Sequence, residues 1–442
     1  MSTNKKVKKP PLQLVKGMKD ILPDEQHYWF WLRDKVDKFG RHYGFAKIDT
    51  PIVEFTSLFK RGVGEETDVV SKEMYSFVTE GGDKLSLRPE NTAGVVRSYI
   101  EHGMINLPQP VKLYYFGPFF RHDKPQAGRY RQFWQFGFEV LGEIDPVIDA
   151  QLIILSYNFL RELGLDIEIH INSVGDDNCR PQYLKALKNY YQNYKKELCP
   201  DCQQRWSKNT LRLLDCKNKR CQEISGGAPQ LVDYLCEDCK NHFMGVLDYL
   251  EDMDIKYNLN PRIVRGLDYY TKTAWEIFET SEQGKLQALG GGGRYDNLVE
   301  ILGGRSTPAI GFAVGLERVI FKLQENKIVP PPQKSFEVYV AQLGVEARKQ
   351  ALKLFEDLRL DGFEVIESMS KKGLKDQLEA ANRKGVKYTL ILGQKEIADG
   401  TVLLRDMESG VQEILDYRKV KNELRKRLDH EGAKLIKTKK LK

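Results

Sequence analysis

The spacing of hydrophobic and polar residues predicts a mixed succession of helices and strands in the first part of the chain. Apolar residues recur at helical spacing over residues 24–43. A glycine pair then predicts a hairpin that joins strands at 74–79 and 84–88. The following Pro-Glu-Asn-Thr sequence is typical of a helix start, with Asn91 or Thr92 placed to cap the helix.

Two aromatic segments, residues 111–121 and 130–142, carry the clearest strand pattern in the sequence. Their side chains alternate with a period of two, which places Gln135 and Glu139 on one face of the second strand. The opposite face is apolar and predicts a core of Trp134, Phe136, Phe138 and Val140. One strand therefore presents polar side chains to one layer and aromatic side chains to another.

The two aromatic strands predict a hairpin with a ligand-binding face. If Arg121 pairs with Arg131, Gly117 lies opposite Gln135. That face then carries a guanidinium, an amide and the Glu139 carboxylate, and a glycine leaves room for a ligand against the sheet. Each charged residue taken singly could instead form a surface ion pair, but their common face favours a binding site.

The second half of the chain predicts an insertion and a separate C-terminal domain. Residues 178–255 are rich in Cys, Lys, Asn and Tyr, and they interrupt the strand pattern, which resumes at Asn260. Prolines in 329–335 predict a stiff linker. Residues 336–428 alternate as β-α-β-α-β, the pattern of a small α/β domain with a largely parallel sheet.

Composition is that of an ordinary globular protein, and charge is concentrated at the two ends. The 442 residues carry a net charge of +7, and no apolar run has the length of a membrane span. Residues 1–16 lead into no apolar segment, so we expect a basic disordered tail and no secretory signal. A second basic tail is expected at 429–442. Either tail could act as a solubilising segment or as a contact for nucleic acid.

Seven cysteines, six of them within 41 residues of the insertion, predict a reduced environment and a metal site. Two Cys-x-x-Cys pairs favour a tetrahedral zinc ion bound by Cys199, Cys202, Cys236 and Cys239. Cys179 stands apart in the sequence and is interpreted as structural. Unpaired reduced cysteines in a helical module are the alternative.

Four segments together resemble a known enzyme family. Phe119–Asp123 with Arg129–Phe133 resembles motif 2 of class II aminoacyl-tRNA synthetases, and Gly311–Arg318 resembles motif 3. Within that class, Arg265–Tyr270 and Leu87–Thr92 are similar to signatures of the histidyl-tRNA synthetases. With the C-terminal domain, which resembles an anticodon-binding domain, the likeness covers nearly the whole chain.

This resemblance implies a fold, partners and a location. The expected fold is an α+β catalytic core over residues 17–328, built on a mixed, mainly antiparallel sheet flanked by helices and interrupted by the small helical insertion. The anticodon-binding-like domain follows at 336–428. The implied partners are ATP with Mg²⁺, L-histidine and tRNA(His), in a cytoplasmic homodimer that does not contact a membrane.

The resemblance also implies the roles of individual residues. Arg121 and Arg318 are expected to hold the α- and γ-phosphates of ATP, and Arg265 to act with Arg121 in catalysis at the α-phosphate. Glu90 is expected near both ATP and the substrate amine. The residues implied for histidine are Glu90, Thr92, Gln135, Glu139, Tyr269, Tyr270, Gly292 and Tyr295. Lys124 and Gln126 are implied to contact the tRNA acceptor stem.

Two other functions share much of this pattern. One is a catalytically inactive relative, such as the regulatory subunit of ATP phosphoribosyltransferase. Such chains usually lack the C-terminal domain and key arginines, which are present here. The other is a class II synthetase for a different amino acid, which the Arg265–Tyr270 segment opposes.

Overall fold

The computed structural model describes residues 12–124, 128–280, 286–332, 336–370 and 373–428. It divides into two compact units, Met1–Pro330 and Pro331–Lys442. The division falls within the segment predicted to be a linker. No helix in these described ranges is both long and apolar enough to cross a membrane.

The first unit combines helices with strands of two sheets. Its α-helices are α1 (Gln26–His42), α2 (Thr56–Val63), α3 (Thr92–Glu101), α4 (Pro146–Arg161), α5 (Arg180–Gln192), α6 (Pro200–Lys208), α7 (Lys219–Ser225), α8 (Glu237–Asp252), α9 (Leu298–Ile301) and α10 (Leu316–Glu325). Its strands are β1 (Ala46–Lys47), β2 (Val53–Phe55), β3 (Ser76–Val78), β4 (Lys84–Leu87), β5 (Val111–Phe120), β6 (Gln132–Leu141), β7 (Ile167–Ser173), β8 (Tyr257–Leu259), β9 (Thr271–Thr280), β10 (Leu286–Arg294) and β11 (Ala309–Gly315). Single turns of 3₁₀ or π helix lie at Val69–Glu73, Met104–Asn106, Lys195–Glu197, Thr210–Leu213 and Leu231–Tyr234.

An eight-stranded sheet in the order β1-β5-β6-β11-β10-β9-β7-β8 organises this unit. β1 runs parallel to β5, and β8 runs parallel to β7. The pairs between them are antiparallel. The prediction of a mixed, mainly antiparallel sheet flanked by helices is therefore confirmed.

The sheet separates two hydrophobic layers, as the alternation in β6 predicts. Phe136, Phe138 and Val140 are buried in one layer, where α1 contributes Leu32 and Val36. The other layer contains the tyrosines of the candidate site. The register of β5 and β6 also agrees with the prediction, because Gly117 pairs with Gln135 and the amide of Arg121 donates to the carbonyl of Arg131 at 2.9 Å.

A small sheet in the order β2-β4-β3 contains the predicted hairpin. The predicted helix cap is corrected at this point. The side chains of Asn91 and Thr92 make no capping hydrogen bond. Instead the Glu90 carboxylate accepts from the amides of Thr92 at 2.7 Å and Ala93 at 3.0 Å. A negative charge at this position also complements the positive end of the helix dipole.

The predicted insertion 178–255 consists of two different parts. The segment from α5 to α7 surrounds a small core of its own, which includes Tyr183, Leu187 and Leu213. Helix α8 instead buries an apolar face in the main core: Phe243, Val246, Leu247 and Leu250. Because the periodic apolar face of α8 is buried in this larger core, the helix packs as part of the main body of the first unit.

The second unit confirms the predicted β-α-β-α-β alternation. Its elements are β12 (Val338–Gln342), α11 (Val345–Leu360), β13 (Val365–Glu367), α12 (Leu374–Arg383), β14 (Tyr388–Leu392), α13 (Gln394–Asp399), β15 (Thr401–Asp406), β16 (Gln412–Asp416) and α14 (Val420–Arg427). The sheet order is β13-β12-β14-β15-β16, with β13 and β14 parallel to β12. The last two strands are antiparallel.

Candidate active site

A carboxylate lies at the bottom of the candidate pocket, on strand β6. Glu139 is only 1% exposed. It accepts hydrogen bonds from the hydroxyl of Thr92 at 2.9 Å and from the hydroxyl of Tyr295 at 2.6 Å. Burial raises the pKa of Glu139 to about 8 against these two hydrogen bonds, and the charge of Glu90 adds to the rise. Within the described ranges Glu139 forms these contacts with hydroxyl groups and no ion pair with a cationic side chain.

Tyrosine side chains surround this carboxylate. The ring of Tyr269 lies 4.6 Å from that of Tyr270 and 5.6 Å from that of Tyr295, measured between centroids. Tyr115 completes the group, since its buried hydroxyl also hydrogen-bonds to Glu139. No role was predicted for Tyr115 from the sequence. The signal that could have identified it is the strand register, because Tyr115 lies two residues from Leu113, which pairs with Glu139.

Glycines keep the surface above this pocket free of side chains. A Cβ atom at Gly311 would overlap the Glu139 carboxylate, and a Cβ at Gly293 would lie 2.6 Å from the Tyr270 ring. Gly291 faces the guanidinium of Arg265. A Cβ at Gly292 would instead lie 2.7 Å from Trp275 in the core. The side-chain direction at Gly292 is therefore away from the pocket, and Gly291 and Gly293 are the positions that leave space there.

The turn that precedes α3 carries a second buried carboxylate of the candidate site. Glu90 is 5% exposed, and burial raises its pKa although the amides of Ala93 and Thr92 and the charge of Arg121 oppose the rise. The space above Gly117, expected to be open, is filled by the guanidinium of Arg88. That group donates to the carbonyls of Pro118 at 3.0 Å and Thr50 at 2.9 Å. It therefore braces the turn that carries Glu90.

Arginines gather at the other end of the same sheet face. Arg121 donates from Nε to the carbonyl of Pro89 at 2.8 Å and lies 5.5 Å above the Phe133 ring. Arg318, in the first turn of α10, donates to the carbonyl of Ala288 at 2.6 Å. Burial lowers the pKa of Arg318 to about 10, and the positive charges of Arg129 and Arg121 lower it further.

Arg265 lies between the arginine cluster and the tyrosines. Its guanidinium contacts the Glu276 carboxylate at 2.7 Å and stacks 5.4 Å from the Tyr270 ring centre. Burial acts to lower its pKa, but Tyr270 and Glu276 raise it above the ordinary value. Its φ of 57° is unusual for a residue with a side chain. In the described part of the chain, its buried Nε has no hydrogen-bond partner.

Glu276 connects the arginines electrostatically. It pairs with Arg265, and its negative charge also acts on Arg318. On the other side of the cluster, burial raises the pKa of Glu73, which Arg121 opposes. The structure thus places the three predicted arginines around one region, together with two carboxylates that sequence reasoning did not identify.

The remaining predicted binding residues have different surroundings. Gln135 is half-buried between Gly117 and Gly315 in the sheet register, beside open backbone. Lys124 is exposed, and its backbone amide donates to the Asp123 carboxylate at 2.6 Å. Gln126 lies outside the described residues.

The predicted zinc ligand set is wrong in its grouping. Cys199 and Cys202 lie with Cys216 and Cys221, whereas Cys236 and Cys239 lie with Cys179 and Asp176. The two Cys-x-x-Cys pairs begin different helices, α6 and α8, and these helices belong to different cores. Cys179, expected to stand apart, is a member of the second group.

Comparison with known proteins shows to which family this chain belongs. A histidyl-tRNA synthetase family model matches residues 17–176 and 209–319, and an anticodon-binding domain model matches residues 337–427. The chain belongs to the histidyl-tRNA synthetase family. The family model leaves out a segment within the predicted insertion, where α5 and the first Cys-x-x-Cys pair lie.

Full-length relatives show the same assignment. A histidine–tRNA ligase of Dehalococcoides mccartyi is 46% identical over 94% of this chain and all of its own length. One of Natranaerobius thermophilus is 45% identical over 90% of this chain and 94% of its own. The crystal structure of Staphylococcus aureus histidyl-tRNA synthetase is 34% identical, with a TM-score of 0.79 over 94% of this chain and all of that chain.

One more distant structure shares the fold. An ATP phosphoribosyltransferase regulatory subunit/histidyl-tRNA synthetase from Bacillus halodurans is 20% identical and has a TM-score of 0.60. At this identity the likeness extends to the fold alone. The resemblance to histidyl-tRNA synthetases and the class of ATP-dependent aminoacyl-tRNA ligases expected from the sequence are confirmed by the closer comparisons.

Proposed function

We propose that this chain activates L-histidine with ATP and then transfers the histidyl group to the 3′ adenosine of tRNA(His). The observation that carries the proposal is the difference in charge environment between the two ends of one sheet face. A buried carboxylate with a raised pKa lies at one end, and half-buried arginines lie at the other, where burial and neighbouring positive charges lower the pKa of Arg318. Histidine and ATP supply the complementary groups.

Histidine recognition rests on the acidic end of the site. Glu139 accepts the imidazole N–H, while Tyr270 borders the ring and Tyr295 and Thr92 hold the carboxylate in place. Glu90 and Gln135 bind the substrate amine near the start of α3. A site built to satisfy an imidazole disfavours an apolar side chain of the same size, because the carboxylate would stay buried without its partner.

Adenylate formation takes place between the two ends. A carboxylate oxygen of histidine attacks the α-phosphorus, the bond from that phosphorus to the bridging oxygen breaks, and pyrophosphate leaves with the electron pair. Arg265 and Arg121 bind the α-phosphate oxygens, where charge develops, and Arg318 binds the γ-phosphate. Guanidinium groups fixed before the reaction are well suited to this stabilisation.

ATP enters with Mg²⁺, which prefers oxygen ligands and usually binds one or two carboxylates together with the substrate phosphates. Glu73 and Glu276 lie next to the arginines and fit this requirement. The bound ion would neutralise part of the phosphate charge. Arg265 and Arg318 still contact the phosphate oxygens directly, and Glu276 keeps the Arg265 guanidinium oriented.

Transfer to tRNA and the homodimer form the second part of the proposal. A ribose hydroxyl of the tRNA 3′ adenosine attacks the histidyl carbonyl, and AMP leaves with its phosphate. The C-terminal unit supports binding of the anticodon, and the exposed Lys124 supports contact with the acceptor stem. Exposed apolar side chains on the small sheet, including Phe55, Phe77 and Val78, support a homodimer contact.

The experiment that tests the activation step is pyrophosphate exchange into ATP with each amino acid supplied singly. We expect exchange with histidine and not with the other amino acids. Folded protein that gives no histidine-dependent exchange would contradict the proposal and favour an inactive relative. Exchange with a different amino acid would favour another class II synthetase.

A further inference from the structure

The cysteines of this chain form two separate clusters. Cys199, Cys202, Cys216 and Cys221 form the first cluster, and Asp176, Cys179, Cys236 and Cys239 form the second. In each cluster the four candidate ligand atoms lie within 4.8 Å of one another. All seven cysteines are free of disulfides. We call these groups the four-cysteine cluster and the mixed cluster.

The four-cysteine cluster has the dimensions of a tetrahedral thiolate site. Its Cys199 and Cys216 sulfur atoms are 3.8 Å apart. A zinc–sulfur distance of about 2.3 Å gives a tetrahedral edge of about 3.8 Å. This separation is also far too long for a disulfide, whose sulfur atoms lie about 2.05 Å apart.

Backbone amides support the sulfur atoms of this cluster. The amide of Cys199 donates to Cys221 Sγ at 3.3 Å, and the amide of Asn218 donates to Cys216 Sγ at 3.5 Å. Such donors stabilise negative charge on a thiolate, which is the form that binds a metal. Cys202, Cys216 and Cys221 are all buried, so the cluster is largely closed to solvent.

The mixed cluster has similar dimensions with one oxygen in place of a sulfur. Cys179 and Cys239 sulfur atoms are 3.9 Å apart. The Asp176 Oδ1 atom lies 3.3 Å from Cys179 Sγ and 3.9 Å from Cys236 Sγ. Zinc with oxygen at about 2.0 Å and sulfur at about 2.3 Å gives an oxygen–sulfur edge of about 3.5 Å, between these two values.

We propose that the chain binds two structural zinc ions, one in the four-cysteine cluster and one in the mixed cluster. Thiolates are soft ligands, and four protein ligands in tetrahedral arrangement leave no open position for catalysis. The sites are therefore structural. The ligands of each site come from separate helices and turns, so each ion would hold these elements together.

The four-cysteine site supports the loop that carries Arg265. Cys199 and Cys202 lie at the start of α6, and this helix is followed by the turn Thr210–Leu213. From these elements Asn209 donates to the Asp268 carboxylate at 2.9 Å, and Arg212 donates to the carbonyl of Arg265 at 3.2 Å. The zinc ion would thus stabilise a support that contacts the active-site loop directly.

The mixed site supports the tyrosine side of the pocket. Cys179 immediately precedes Arg180, whose guanidinium donates to the carbonyls of Gly175 at 3.1 Å and Tyr270 at 2.6 Å. Cys236 and Cys239 belong to the first turn of α8, which packs in the main core. This ion would therefore link the catalytic core, the first inserted helix and the backbone of a predicted histidine-binding residue.

The test begins with the metal content of the intact chain, purified under reducing conditions and dialysed against a weak chelator. Elemental analysis should give two zinc ions per chain. The double variants Cys216→Ser/Cys221→Ser and Cys236→Ser/Cys239→Ser should each retain one. Asp201→Asn is the matched control, because Asp201 lies between two ligands but is exposed, and this variant should retain both ions.

X-ray absorption at the zinc edge of the wild-type chain keeps the test independent of how the variants fold. Two filled sites give an average of three to four sulfur ligands per ion at about 2.3 Å and a minor oxygen contribution. A content below one ion per chain, or one that neither double variant lowers, would overturn the proposal. So would a single ion lost in only one double variant. These results do not depend on whether histidine is the substrate.

Discussion

The two ends of the active site respond to burial in opposite directions. Burial raises the pKa of Glu139 to about 8 at the histidine end, and it lowers the pKa of Arg318 to about 10 at the arginine end. The physical cause is the same, since removal from water disfavours whichever form is charged. At each end burial therefore disfavours the charged form, and the substrates supply groups that favour it: the amine and imidazole N–H of histidine at Glu90 and Glu139, and the phosphates of ATP at the arginines. The charge environment at each end thus indicates which substrate binds there.

Arg265, between the two ends, differs from both. Glu276 partners its guanidinium at 2.7 Å, and its pKa is raised although burial opposes this. Because Glu276 already balances its charge, we expect Arg265 to contribute to catalysis through the fixed position of its guanidinium. This difference leads us to expect separate effects on stability, turnover and substrate affinity when each part is changed.

The largest expected effect is on stability, from Glu139→Gln. The pKa of Glu139 is about 8 in the folded chain against an ordinary value of 4.5, so the folded state holds its proton more tightly. The wild type should lose stability as pH rises from about 4.5 to 8, by up to about 5 kcal/mol. The variant has no such proton to lose. Its melting temperature should exceed that of the wild type by an amount that grows over this pH range.

The control for this prediction is Glu300→Gln, which changes an exposed carboxylate in α9. Its melting temperature should differ from that of the wild type by a constant amount between pH 5 and pH 9. A constant difference for Glu139→Gln as well would mean that Glu139 is not short of a counter-charge in the free protein.

The next largest effect is on turnover, from Arg265→Ala. Loss of one preorganised cation at the α-phosphate should lower the rate of histidine-dependent pyrophosphate exchange by about 10²–10³-fold, or roughly 3–4 kcal/mol. The affinity for histidine, measured by calorimetry, should change by only a few-fold. Arg262→Ala, three residues earlier in the same segment, is the matched control. Retention of most of the exchange activity would show that Arg265 has another role.

A smaller effect is expected on histidine affinity, again from Glu139→Gln. The amide places an N–H₂ donor where the imidazole also donates, so we expect KM for histidine to rise by roughly 30-fold, or about 2 kcal/mol. KM for ATP should stay nearly the same, because the arginine end is untouched. A parallel rise in both constants would indicate that the two ends do not act separately. Glu300→Gln again provides the comparison.

The smallest effect is expected from Arg212→Ala, outside the pocket. Its guanidinium holds the carbonyl of Arg265 at 3.2 Å and the Asp68 carboxylate at 3.3 Å. Loss of these bonds should lower turnover by about 5- to 10-fold, near 1 kcal/mol, with little change in KM for histidine. Arg220→Ala removes an exposed arginine of the same inserted segment as a control. Equal turnover in the two variants would contradict the supporting role.

Local periodicity was sufficient to predict the part of the site built on two adjacent strands. A strand has a period of two, so the faces of Gln135 and Glu139 and the register of Gly117 follow from the residues themselves. The C-terminal domain followed from alternation of strands and helices for the same reason. These features depend on neighbours in sequence.

Features that depend on distant neighbours were not predictable in this way. Arg88 fills the space above Gly117, and Glu90 caps α3 in place of Asn91. The partners of the Cys-x-x-Cys pairs were also missed, because Asp176 is far from Cys236 in sequence and is not a cysteine. Spacing identifies a pair of ligands, but only the folded chain shows which residues complete it, as Asp176 and Cys179 do for Cys236 and Cys239.

The glycines of β10 and β11 have a consequence for the evolution of this chain. At Gly291, Gly293 and Gly311 even one methyl group would meet Arg265, Tyr270 or Glu139. These three positions should therefore tolerate almost no substitution, because alanine is the smallest residue that can replace glycine. The residues that face these glycines are constrained as well. Neither side of this surface has room for a larger residue. The specificity of the pocket is preserved by positions that have no side chain.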